Sequence, residues 1–314
     1  MTISTAFFGL KIKIVVIAGP TASGKSEIAV RLAERFNAEI VNADSMQVYR
    51  FMDIGTAKPS APDRLRIRHH VTDIVNPDED YTAAQYKFDA ARAIDDIRKR
   101  GKNIFVVGGT GLYIRALTRG LFKGPGRNEM LRMKLERLSE KKGNGYLYRI
   151  LKRVDPVSAS KIHPNNEARI VRALEVYLSA GKSISSFQME HGFMETPYKT
   201  LYIGLAKDRL MLYQDIDTRV EGMIEAGFID EVKRLLDMGF APELKPMQAL
   251  GYKEAVLYLH GKIGFDDMDR EIKKNTKRYA KRQLTWFKKE PDIIWLGAED
   301  GPQITYQVKR FLEG

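Results

Sequence analysis

The chain has 314 residues, 44% hydrophobic and 10% aromatic, with no cysteine and a formal charge of +12 at pH 7. That length suits one large or two medium domains. Zero cysteine excludes disulfides, thiolate zinc sites and thiol catalysis, as fits a reducing cytoplasm; no apolar run approaches a membrane span, and the positive balance favours polyanionic partners, nucleic acid first.

The chain starts MTISTAFFGLKIK. It lacks a basic start and a small-residue cleavage site, so it reads as a short extension into a strand and not as a signal peptide. Residues 13–18, KIVVIA, are a β-branched apolar run and predict a buried strand. GPTASGKS follows directly, and then Ile28, Ala29, Leu32, Ala33 and Phe36 recur at helical spacing. Residues 39–42 predict a second strand, ending at Asp44. Residues 83–100 predict a helix stopped by Gly101. Residues 104–107, IFVV, predict a third strand running into Gly108-Gly109-Thr110-Gly111.

From Lys123 to about Thr196 the pattern changes to basic amphipathic segments, at residues 130–138, 145–153 and 168–178, with no convincing strand. Between Lys123 and His191 there are fourteen Lys or Arg against seven acids. We read a small helical insertion edged by Gly124-Pro125-Gly126 and Thr196-Pro197. A strand at residues 201–205 follows, then mostly helix to about Lys289, with nine Lys or Arg and one acid between Arg270 and Lys289. A last strand is expected at residues 293–296. Strands alternating with helices give an α/β fold with a parallel sheet. The expected organisation is a P-loop core over residues 1–122, an all-helical insertion over 123–196, and the second part of the core over 197–314.

GPTASGKS, from Gly19 through Pro20, Thr21, Ala22, Ser23, Gly24 and Lys25 to Ser26, fits the P-loop pattern in full. Strand before and helix after give the context in which backbone amides and a helix N-terminus cradle phosphate. Lys25 neutralises the phosphate oxygens and the Ser26 hydroxyl suits Mg²⁺. Nucleotide hydrolases of this class carry an acid after a buried strand; here IFVV runs into GGTG instead. Asp44 falls at the carboxyl edge of the expected sheet, where ligands bind in open α/β folds. A carboxylate there can take a proton from a nucleophile; by position alone it reads equally well as a cap or turn residue. The basic tail reads as a phosphate-contacting surface or as a solvated helix face, and Tyr279, Trp286 and Phe287 read as core.

GPTASGKS, NADSMQVYRFMDIGTAKP, HHVTDIVNPDEDYTAAQY, VVGGTGLY, RALEVY, MQALGYKE and RYAKRQLTWF occur in this order. Together, over residues 14–287, they resemble the bacterial tRNA dimethylallyltransferases, the tRNA isopentenyltransferase family. The resemblance implies a P-loop NTPase-like fold. It implies transfer of a dimethylallyl group from dimethylallyl diphosphate to the exocyclic amine of the adenosine at position thirty-seven, 3′ of the anticodon, in tRNAs reading codons that begin with U. In that reading the P-loop holds the donor's diphosphate with Mg²⁺, and no nucleotide is hydrolysed. Asp44 becomes the base and Thr110 a residue near the reacting centre. Lys25 and Arg219 steady the leaving group, although Arg219 and Thr110 without the resemblance read as a salt-bridged helix residue and a turn residue. The reactive adenosine is flipped from its loop. Asp44, Ser45, Met46, Gln47 and Thr110 would meet it. Arg132, Asn166, Glu167, Ala168, Arg169 and Arg172 would meet the anticodon stem-loop, as would Met247, Gln248, Gly251, Tyr252 and Lys253. Lys277, Arg278, Lys281 and Arg282 would contact phosphates. Ser26 stands where the family often has Thr, and either hydroxyl serves a metal. A cytoplasmic monomer is the default expectation. Three other readings remain open: an isopentenyltransferase acting on free adenine nucleotides, which needs no broad basic surface; a P-loop small-molecule kinase, which leaves the insertion and tail unexplained; and a non-catalytic RNA-binding module, which explains the charge but leaves the P-loop and Asp44 without a purpose.

Overall fold

The first strand, β1 (Ile12–Ala18), is buried on both faces because its apolar run does not alternate. The computed structural model describes residues 11–143 and 145–314, so the N-terminal extension lies outside the described residues. The chain divides into two compact units: Met1–Thr118 with Thr196–Gly314, and Arg119–Glu195.

The larger unit is a six-stranded, wholly parallel sheet with helices on both faces. Its strands are β1, β2 (Ala38–Asn42), β3 (His69–His70), β4 (Asn103–Gly108), β5 (Tyr198–Ala206) and β6 (Ile293–Gly297). The spatial order is β3-β2-β4-β1-β5-β6. β1 pairs with β4 on one side, Val16 opposite Val106, and with β5 on the other, Val16 opposite Tyr202. Ile14, Val16 and Ala18 enter the core on one face of the sheet, and Val15 and Ile17 enter that on the other. All five are fully buried, each valine or isoleucine stabilising by roughly 1.5–3 kcal/mol.

Between the strands run α1 (Lys25–Arg35), α2 (Ala61–Arg66), α3 (Ala83–Lys99) and α4 (Gly111–Arg119). α3 starts at a capping box, Thr82 with Gln85. The sheet expected from sequence is thus present, with a two-residue β3 added. That strand is too short to show a pattern.

The smaller unit contains α5 (Glu129–Lys142), α6 (Gly145–Val154), α7 (Pro156–Lys161), α8 (Glu167–Ala180) and α9 (Ile184–His191), around a core that includes Leu135, Leu147, Leu151, Ile170 and Leu174. Two buried carboxylates staple it. Asp155 caps α7, accepting from the amide and hydroxyl of Ser158 and from those of Ser185 at the start of α9. Glu175, fully buried in α8, accepts from the Asn128 amide (2.7 Å), from Arg132 (3.1 Å) and from Arg172 (2.6 Å). Burial alone would raise both pKa values, but the hydrogen bonds outweigh it and hold each below the usual carboxylate range.

The larger unit continues after β5 with α10 (Arg209–Glu225), α11 (Phe228–Asp237), α12 (Tyr252–Leu259) and α13 (Phe265–Phe287), and after β6 with α14 (Gly301–Glu313). The sequence reading contained no counterpart of α14. It buries Ile304 and Val308 against the sheet face opposite α13.

Candidate active site

The loop between β1 and α1 is built for an anion. Gly24 takes φ +80°, open to glycine, and precedes α1 with no side-chain cap on the first amides. α2, α3, α5 and α7 through α10 have such caps, while α11, α13 and α14, like α1, do not. The uncapped amides and the positive end of the helix are left for a ligand. A Cβ on Gly19 would come within 2.9 Å of the Ser23 Oγ. The Lys25 ammonium donates to the Pro20 carbonyl at 3.0 Å, folding back over the loop.

Asp44 follows β2 as expected. Its amide donates to Asn42 Oδ1 at 3.1 Å, and its own Oδ1 accepts from the Met46 amide at 2.8 Å. That turn commits one carboxylate oxygen. The Gly108-Gly109-Thr110 turn closes against it. A Cβ on Gly108 would lie 2.2 Å from the Ala43 carbonyl oxygen, and the Thr110 amide donates to that same oxygen at 3.0 Å. Thr110 Oγ1 accepts from the Ser45 amide at 2.9 Å. Thr110 therefore fixes the Asp44–Ser45 backbone.

These elements line one cavity of about 370 Å³. Thr21, Lys25, Ser26, Asp44, Ser45, Met46, Gln47, Arg219, Gly251, Tyr252 and Arg282 all border it. Tyr279 and Gln283 of α13 do so as well, and sequence reasoning had assigned neither to the site. Tyr279 read as core; its hydroxyl instead interacts with Thr110 and Gln283, and burial raises its pKa. Gln283 is a strut: its Oε1 accepts from the Thr21 amide at 2.9 Å and its Nε2 donates to the Gly109 carbonyl at 3.0 Å. It joins two loops 174 and 262 residues away in sequence, a pairing without local signal.

Charge in the cavity is mixed. Burial, and then the neighbouring Arg219, push the Lys25 ammonium down to about 8, against the opposing pull of Asp44. Burial also lowers the Arg219 pKa, opposed by Asp44. A half-buried Lys25, a more exposed Arg219 and a carboxylate thus share one space, and a polyanion entering it would relieve the repulsion between the cations. Among the described residues no group of three or more His, Asp or Glu forms a metal cage. Mg²⁺ does not need one: it keeps waters and takes one or two protein oxygens with substrate phosphates. Ser26, exposed at the cavity lining, fits that role.

Other expected contacts lie elsewhere. Met247 is fully buried in the core and offers no surface to RNA. Tyr252 borders the cavity but is 1% exposed, and its hydroxyl donates to Glu231 at 2.6 Å. Arg132 and Arg172 are held by Glu175, and Arg172 also donates to the carbonyls of Pro125 and Gly126. They serve the insertion's core and hold the start of α5. Asn166 caps α8, its side chain accepting from the Arg169 amide, while Glu167, Ala168 and Arg169 are exposed. Gln248 donates to the Pro242 carbonyl, and Lys253 is exposed.

The basic face of α13 is partly neutralised. Lys277 pairs with Asp217, Lys273 with Glu221 and Asp269, and Lys274 with Glu271. Arg278, Lys281 and Arg282 are exposed and, among the described residues, have no carboxylate partner within 4.0 Å. Arg282 stacks over the Tyr279 ring at 5.7 Å. Phe287 is core, as expected. No described helix is long and apolar enough to cross a membrane.

Comparison with known proteins agrees with this geometry. The family model for IPP transferase matches residues 47–290, and that for isopentenyl transferase matches residues 12–71. The chain is 55% identical to a tRNA dimethylallyltransferase 2 of Geotalea uraniireducens over 91% of its own length and 92% of that protein's. With the tRNA dimethylallyltransferase 2 of Syntrophus aciditrophicus it shares 49% identity over 97% and 98%. The crystal structure of a tRNA isopentenylpyrophosphate transferase from Bacillus halodurans superposes with a TM-score of 0.72 at 39% identity, over 96% of this chain and 97% of that one. A eukaryotic dimethylallyltransferase captured acting on tRNA gives 0.76 at 33% identity, over 95% and 77%. A parallel sheet with a P-loop after β1, an aspartate after β2 in the same cavity, and these matches along nearly the whole sequence lead to one conclusion: the chain belongs to the IPP transferase family.

Proposed function

We propose that this enzyme transfers a dimethylallyl group from dimethylallyl diphosphate to the exocyclic amine of adenosine thirty-seven in tRNAs reading codons that begin with U. The products are isopentenyladenosine and diphosphate. The observation that carries the reading is the single cavity bordered by Lys25, Ser26 and Arg219 on one hand and by Asp44 on the other. A kinase would use the same cradle and base but leaves the basic insertion and tail unexplained, and an RNA-binding module requires only charge. Prenyl transfer to an amine requires both a diphosphate grip and a base.

The adenine amine attacks the allylic carbon, whose bond to the diphosphate oxygen breaks with the electron pair leaving on diphosphate. The uncapped α1 amides, Lys25 and Arg219 take up that charge from fixed positions. When bound, Mg²⁺ supplies further neutralisation of the diphosphate, with Ser26 as its protein ligand. Asp44 receives the proton lost from the amine. With Oδ1 already accepting from Met46, the other carboxylate oxygen takes the proton. Thr110 acts by holding Ser45, and through it the Asp44 turn.

In the tRNA reading, Glu167, Ala168 and Arg169 of the insertion and Arg278, Lys281 and Arg282 of α13 supply exposed RNA contacts. Match with the isopentenyl transferase model over residues 12–71 keeps one competitor in view, transfer to a free adenine nucleotide. Labelled donor with Mg²⁺ and either an unmodified anticodon stem-loop or AMP separates the two. We expect label on the RNA; label on AMP alone would contradict the tRNA reading, and phosphate transfer from ATP would contradict both.

A further inference from the structure

Glu231 belongs to none of the motifs described above. It sits in the first turn of α11, is 1% exposed, and has no ion-pair partner among the described residues. Its Oε2 accepts from the amides of Asp53 (2.8 Å) and Ile54 (2.7 Å), and its Oε1 from the Gly55 amide (3.1 Å) and the Tyr252 hydroxyl (2.6 Å). An ionised carboxylate offers about four acceptor sites and no donor. Four donors meet it here, so this buried charge is compensated entirely by hydrogen bonds. The segment is pressed against the same helices: a Cβ on Gly55 would come within 2.4 Å of the Phe228 ring and 2.7 Å of the Tyr252 ring.

The clamped segment has a target. Directly after Gly55, the carbonyls of Thr56 and Ala57 both accept from Gln47 Nε2, each at 3.1 Å. Two carbonyls at one end of an amide determine which end carries nitrogen. Both N–H bonds of Gln47 are therefore used, and its remaining polar atom is Oε1, a pure acceptor. Gln47, Gly55, Thr56 and Ala57 all border the cavity that holds Asp44.

We propose that Glu231 is a positioning residue for the acceptor base: it fixes the 53–57 turn, the turn fixes the Gln47 amide, and Gln47 presents a lone pair to the amino edge of the incoming adenine. This rests on the transferase reading above. It assigns Glu231 to the acceptor side alone, since none of its four partners belongs to the P-loop. A keto edge in the same place would set oxygen against oxygen, so the device favours an amino-bearing base.

The test is steady-state kinetics of Glu231→Gln with an anticodon stem-loop and dimethylallyl diphosphate. The substitution keeps the shape but turns an NH₂ toward backbone donors. We expect kcat/KM for the RNA to fall about tenfold, the range of one or two hydrogen bonds, with the KM for the donor within about twofold of the unsubstituted value. A loss of folded enzyme would lower kcat and leave both KM values alone. Adding Gln47→Ala should cost nothing beyond Gln47→Ala by itself, because both act through one amide. Equal shifts in both KM values, or losses that multiply, would overturn the proposal. If Glu231→Gln does not yield folded protein, Tyr252→Phe removes one of the four donors and must show the same RNA-only split, its absence being equally fatal. An unsubstituted protein that transfers no prenyl group refutes the underlying reading; one that does, with multiplying losses in the double variant, overturns only the role of Glu231.

Discussion

Lys25 ties the electrostatics of the cavity to a measurable pH dependence. Burial and Arg219 hold its ammonium at about 8 in the free enzyme, so it is about nine-tenths charged at pH 7 and about one-tenth charged at pH 9. Only the charged form grips diphosphate. A donor that binds it must therefore draw a proton onto Lys25 at high pH. Donor affinity should weaken about tenfold between pH 7 and pH 9, and binding at pH 9 should take up close to one proton, against about a tenth of one at pH 7. The sign is definite: affinity is lost as pH rises through 8. Calorimetric titration of dimethylallyl diphosphate, in buffers of different ionisation heat, reads both quantities. Lys25→Arg supplies the control, because a guanidinium stays charged throughout; the absolute affinity changes with the different shape, but the alkaline limb should vanish. Absence of proton uptake at pH 9, or the same limb in Lys25→Arg, would refute this account of the cavity.

Asp44→Ala should lower turnover by roughly 10²–10⁴-fold while an RNA filter-binding assay shows affinity largely retained; unchanged turnover would remove Asp44 as the base. Glu175→Ala leaves Arg132, Arg172 and the Asn128 amide without their buried acceptor, and should destabilise the insertion by about 3–5 kcal/mol, seen as an early transition in chemical denaturation. Because Glu175 and Asp155 have lowered pKa values when folded, their contribution is present at neutral pH and lost as pH falls below the ordinary carboxylate range, about 4; an acid melt followed by circular dichroism checks it. Replacing Lys281 and Arg282 with Ala should weaken RNA binding and flatten its dependence on salt, whereas replacing Lys277, already paired with Asp217, should change the salt slope little.

The legible parts of this protein were those with a local period or a local motif. β1 and β4 carry continuous apolar stretches, IVVIA and IFVV, and the P-loop is a contiguous eight-residue motif between a strand and a helix. Asp44 was placed correctly because it follows a strand, and strand ends have a fixed meaning in parallel sheets. What escaped was set by tertiary contact. Gln283 is one polar residue on a helix whose spacing reads as basic and amphipathic. Nothing nearby announces that it bridges Thr21 and Gly109. Glu231 looks like a helix-surface acid until the 53–55 backbone is laid over it. On α13, composition counts Lys273, Lys274 and Lys277 as free charge, while the fold brings Glu221, Asp269, Glu271 and Asp217 to them; Arg278, Lys281 and Arg282 stay exposed. Arg132 and Arg172 follow the same pattern, their charges turned inward onto a buried glutamate.

The central claim is that one cavity joins a diphosphate grip to a base for an adenine amine. It is tested most directly by incubating the protein with Mg²⁺, dimethylallyl diphosphate and an unmodified tRNA reading a codon that begins with U, then digesting the RNA to nucleosides and assaying diphosphate in parallel. The account predicts isopentenyladenosine from position thirty-seven and diphosphate in equal amounts, both abolished by removing the donor and neither requiring ATP. Unmodified adenosine at that position with prenylated AMP in its place, or product that appears only when ATP is consumed, would contradict it.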